Sequence, residues 1–73
     1  MEFQTDNDLK GRCQINDIVY SWKKLGMAST PYWKADIHKL VPGQDISQLV
    51  LVLSKKCETI ADAEKWLNEN VQA

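Results

Sequence analysis

The segment Gln48-Leu49-Val50-Leu51-Val52-Leu53-Ser54 decides how the rest of the chain is read. Coiled into a helix, its five central residues would be apolar all round, and a chain of 73 residues could hardly cover them on every side. Extended, they need cover on only two faces, Leu49, Leu51 and Leu53 on one and Val50 and Val52 on the other. The run is therefore read as a strand. Just upstream, Trp33, Ala35 and Ile37 alternate with Lys34, Asp36 and His38, a second strand pattern over residues 32–41. The same stretch also fits a helix, opened by Thr30-Pro31 and striped with Trp33, Ile37, Leu40 and Val41. The neighbouring strand tips the choice. Residues 32–41 and 48–54 then form a hairpin, joined by a loop that starts at the turn-forming pair Pro42-Gly43.

Downstream, Thr59 is a natural N-cap with Asp62 three residues on, and Ile60, Ala63, Leu67 and Val71 fall on one face. This predicts a helix over 60–71, with Trp66 at the flank of its apolar stripe. Upstream, Asn16 reads as an N-cap, Asp17 suits the positive end of a helix dipole, and Ile18, Val19, Trp22 and Leu25 make a helical stripe closed by Gly26. Residues 17–25 are thus expected to be a short amphipathic helix with Tyr20 turned to solvent. Before it, Leu9, Gly11, Cys13 and Ile15 alternate with polar residues as a short strand, and residues 1–8 are expected to fray.

The expected fold is a single small α+β domain over residues 1–73. It carries a two- to three-stranded antiparallel sheet with two short helices, in the order β-α-β-β-α. An all-α four-helix bundle is the alternative. A chain this short buries only about 60% of the surface its unfolded form exposes, so its core is thin. The longest apolar run, five residues, is far below the roughly 18 needed to span a bilayer. Glu2, Asp6 and Asp8 stand where a signal peptide would be basic. A cytoplasmic protein without a membrane partner is expected. Cys13 and Cys57, alone and widely spaced, read as reduced thiols.

Catalysis finds little support. His38 is the sole histidine and reads as a solvent-facing strand residue. A zinc site from Cys13, His38 and Cys57 would lack a fourth ligand and any recognised spacing. A thiol-based role for Cys57 needs a lowered-pKa environment, and none can be read from the sequence. Gly11, Gly26 and Gly43 are scattered, so no phosphate loop forms, and no cofactor is expected. The chain is read as no enzyme.

Binding remains. The net charge is −1, yet residues 18–57 hold six lysines against two aspartates, while the remainder holds three cations against eight carboxylates. A nucleic-acid binder would use Lys23, Lys24, Lys34, Lys55 and Lys56, interleaved with Trp22, Tyr32 and Trp33. Ser54-Lys55-Lys56 before a helix resembles the phosphate-gripping end of double-stranded-RNA-binding domains, although Thr59 and Ala61-Asp62-Ala63 depart from that pattern. Thr59, Asp62-Ala63 and Trp66 after a hairpin are similar to the end of phage integrase arm-binding domains, with Cys57 where an aromatic is usual. Each resemblance covers under half of the chain.

The favoured expectation is a protein-interaction module, a small adaptor, inhibitor or homodimer. If both helices cover one sheet face, Val50 and Val52 on the other are left without shelter. Tyr20, Tyr32 and Trp66 are of the types enriched at interface hot spots. The expected docking residues are Tyr20, Tyr32, Val50, Val52 and Trp66, and the partner is another protein or a second copy.

Overall fold

The computed structural model describes residues 1–71. Five strands precede one helix: β1 (Gln4–Asp6), β2 (Lys10–Ile15), β3 (Ile18–Met27), β4 (Thr30–Val41), β5 (Gln48–Cys57) and α1 (Ile60–Glu69). The strands form a single antiparallel sheet in sequence order, β1-β2-β3-β4-β5. The expected two- to three-stranded sheet with two helices is therefore wrong, and so is the four-helix bundle. The protein is mostly β, with one short helix at its C-terminal end.

The error lies at residues 17–25: Asp17 is in a turn and residues 18–25 are strand, not helix. Asn16 does not cap a helix. It sits at φ 55 in a two-residue turn between Ile15 and Ile18, which pair directly across the hairpin. Asparagine serves both purposes, because its short polar side chain also tolerates the left-handed region that tight hairpins require. Gly26, read as the end of a helix, is instead a strand residue at φ 85 beside the next hairpin turn. What decides β3 is Ile18-Val19-Tyr20-Ser21-Trp22, rich in β-branched and aromatic side chains that fit a pleated surface. Within the stretch expected to fray, Gln4–Asp6 pair with Arg12, Gly11 and Lys10.

One face of the sheet carries the core. Tyr20, Trp22, Ala35, Ile37 and Cys57 meet Ala63 and Leu67 of α1, and all seven are buried. Phe3, Ile15, Ile18, Trp33, Ile60 and Trp66 pack around them. The Trp22 ring lies over Gly11, its partner on β2, so closely that a Cβ there would stand 2.5 Å from Cε2. Trp22 Nε1 donates to Glu64 of α1 at 3.1 Å, tying helix to sheet. The helix begins as expected: Thr59 Oγ1 accepts from the Asp62 backbone N–H at 3.0 Å. It touches β3, β4 and β5 but leaves the far part of the β4–β5 hairpin uncovered. The molecule is accordingly elongated, 44 × 24 × 20 Å.

The β4–β5 pairing contains a bulge. Ile37 faces Leu53, yet His38 faces Leu51, so Val52 is the extra residue. Strict alternation of Leu49, Leu51 and Leu53 on one face is thereby broken. By register, Leu53 and Val50 share the helix face with Ile37 and Lys39, whereas Leu49 and Leu51 share the opposite, open face with Leu40 and His38.

Candidate interaction surfaces

Two surfaces stand out, both consequences of the register. The first is β5 itself. As the last strand it has one paired edge and one open edge. Leu49, Val50, Leu51, Val52 and Leu53 are 51%, 47%, 51%, 50% and 42% exposed, so neither face of the strand is sheltered. Val41, the last residue of β4, and Ile46 in the adjoining loop are also exposed apolar residues. On the helix face, Val52 also closes an open groove of about 300 Å³ with Ile15, Ile18, Ile37 and Lys39. No charged residue or proline interrupts residues 46–54. Such an edge offers unpaired backbone groups and apolar side chains to any strand that meets it.

The expected docking residues fare unequally here. Val50 and Val52 are exposed, on the strand that was singled out. Tyr20 is fully buried in the core and does not belong to any surface. Its placement in solvent followed from the mistaken helix: on a strand, residues 18, 20 and 22 share one face, and here that face is the covered one. Trp66 is half-buried, packed on the core at the helix flank and lining a cleft with Lys55, Lys56, Cys57 and Asp62. Tyr32 lies half-buried on the open face, its ring 4.5 Å from the Lys56 ammonium. Tyr32 and Trp66 therefore sit on opposite sides of the sheet, and neither joins Val50 and Val52 at the far end of the hairpin.

The second surface is the open face. Register sets Lys10 opposite Lys23, Lys23 opposite Lys34, and Lys34 opposite Lys56, one lysine on each of β2, β3, β4 and β5. Arg12 lies in the next row, opposite Ser21, with Asp36 beyond. Of the lysines expected to meet phosphates, Lys23, Lys34 and Lys56 are thus brought together. Lys24 and Lys55 are not, because both fall on the helix face. Lys24 is engaged there by Asp8 at 2.9 Å and lies 5.8 Å from the Trp33 ring centroid. That hydrogen bond, and then the charge of Lys24, hold the Asp8 carboxyl below its ordinary pKa. Lys10 was missed. Its signal lay in the pairing of strands, which no local pattern displays.

The thiols and the histidine weighed as a metal site are not brought together. Cys13 and Cys57 are free thiols on the helix face, while His38 stands on the open face, so the weighed zinc triad is split by the sheet. Burial pushes the Cys57 thiol up, with Lys55 opposing and Asp62 reinforcing the shift, and the group stays protonated at neutral pH. Among the described residues, no group of three or more His, Cys, Asp or Glu side chains could hold a metal ion. No helix among the described residues is long and apolar enough to cross a membrane.

Compared with known proteins, the chain matches no family model, no curated protein and no solved structure.

Proposed function

We propose that this chain is a non-catalytic protein-interaction module that docks an added β-strand along β5. The observation that carries the reading is the exposure of Leu49 to Leu53 on both faces of an open edge strand. Strand addition satisfies the free backbone groups through main-chain hydrogen bonds and covers the side chains at the same time. At roughly 25 cal/mol per Å² of apolar area, sheltering five half-exposed Leu and Val side chains contributes on the order of several kcal/mol.

A second copy of the chain is the occupant that best fits. An antiparallel pairing centred near Leu51 lays the apolar run Leu49 to Leu53 of each copy along that of the other. It also carries Asp45 of each copy toward Lys55 of the other, whereas a parallel pairing would set the lysines at 55 and 56 against themselves.

Light scattering across a dilution series tests this reading. The wild-type chain should rise in mass with concentration, and Leu51→Lys, a charge placed on the open edge, should remain monomeric with an unchanged circular dichroism spectrum. A wild-type chain that stays monomeric at every concentration and binds no apolar dye would overturn it.

A further inference from the structure

We infer that the open face of the sheet binds the phosphate backbone of duplex nucleic acid through the row Lys10, Lys23, Lys34 and Lys56. This inference is independent of the strand-docking edge. Like charges set directly opposite one another across a sheet destabilise it, and here the arrangement recurs across three successive strand pairs. Lys10, Lys23 and Lys56 are exposed, and none of the three forms an ion pair among the described residues. Lys34 is 3.8 Å from Asp36, whose buried Oδ1 accepts no hydrogen bond. With Arg12, the paired strands present five cations on this face against the carboxylates of Asp6, at the β1 end of the row, and Asp36. The whole chain nevertheless carries a net charge of −1. Positive charge is therefore concentrated on one side.

The geometry favours a duplex. Strands about 4.8 Å apart make a row of four lysines about 14 Å long, close to the width of about 12 Å of a DNA major groove. Lysines at the two ends can then reach opposite phosphate walls. Lys10, Arg12 and Lys23 also line a hollow of about 390 Å³ at the β1–β3 end of the sheet, together with Asp6, Gly11 and Trp22. Single strands ask for aromatic platforms. Tyr32 is the sole aromatic residue on the open face of the strands and already carries Lys56, since Tyr20, Trp22 and Trp33 all occupy the helix face.

Fluorescence anisotropy with a short labelled duplex DNA, a duplex RNA, the matching single strand, and phosphatidylserine vesicles decides the matter. The duplexes should bind with a log–log salt slope of about −3, a loss of about sixtyfold between about 50 and about 200 mM salt. Comparing the two duplexes identifies which backbone is preferred. The double variant Lys10→Gln/Lys23→Gln should reduce the slope by about 2, while Lys65→Gln leaves it unchanged. Because the double variant relieves opposed charges, it should melt no lower than the parent, which separates lost binding from lost folding. The inference is overturned by duplex binding that is absent or indifferent to salt, by an equal effect of Lys65→Gln, or by capture on vesicles or the single strand in preference to either duplex.

Discussion

Gly11 and Trp22 show how much of this fold rests on single contacts. Glycine at position 11 leaves the space in which the Trp22 ring lies, and that ring in turn reaches Glu64 on the helix. A methyl group at position 11 must push the indole out of a packed core, so Gly11→Ala should cost about 1–3 kcal/mol, read as a lower urea midpoint with an unchanged m-value. The sequence marks Gly11 only as a weak point in a strand pattern. Its partner is invisible there, because Gly11 and Trp22 become neighbours only once β2 and β3 pair. Tyr20 teaches the same lesson with the opposite sign: its identity as a large aromatic was plain, but its burial depended on whether residues 18–22 repeat every two or every 3.6 positions.

Among the elements, α1 was the most legible. Its cap, its acidic first turn and Ile60, Ala63 and Leu67 of its stripe are all local and are realised in the fold, whereas the helix ends at Glu69 and leaves Val71, the expected fourth member, outside it and exposed. Thr59→Ala removes the acceptor for the Asp62 N–H and should lower stability by about 1 kcal/mol, measured by chemical denaturation. The β4–β5 hairpin was also legible, since alternation and an apolar run need no distant partner to be recognised. Element β3 was not. Asn16-Asp17 and Gly26 satisfy the rules for helix ends and for hairpin turns alike, and Ile18-Val19 opens either period. The bulge at Val52 lay wholly outside local pattern, because it concerns the matching of one strand to another.

At the scale of the molecule, one helix on a five-stranded sheet cannot cover 44 Å of length, and the far end of the β4–β5 hairpin stands clear of the core. Hydrogen exchange should register this. Amides of residues 38–41 and 48–53 are expected to exchange faster than those of β3 at low concentration and to gain protection as concentration rises, while β3 changes little. Protection that is uniform and independent of concentration would count against docking along β5. Antiparallel addition of a second β5 would also keep both open faces on the same side of the enlarged sheet. Two rows of lysines would then address one ligand, so the two proposed surfaces are compatible in a single assembly.

The amino-acid sequence by itself determined the capped C-terminal helix, the strand at Leu49 to Leu53 and the want of shelter for it, since each depends on neighbours a few positions away. Tertiary structure alone decided that residues 18–27 are extended, that Tyr20 is core, and that Lys10, Lys23, Lys34 and Lys56 stand in one line. The physical reason is register. Cross-strand pairing joins residues far apart in the chain, and a shift of one position turns every side chain to the other face.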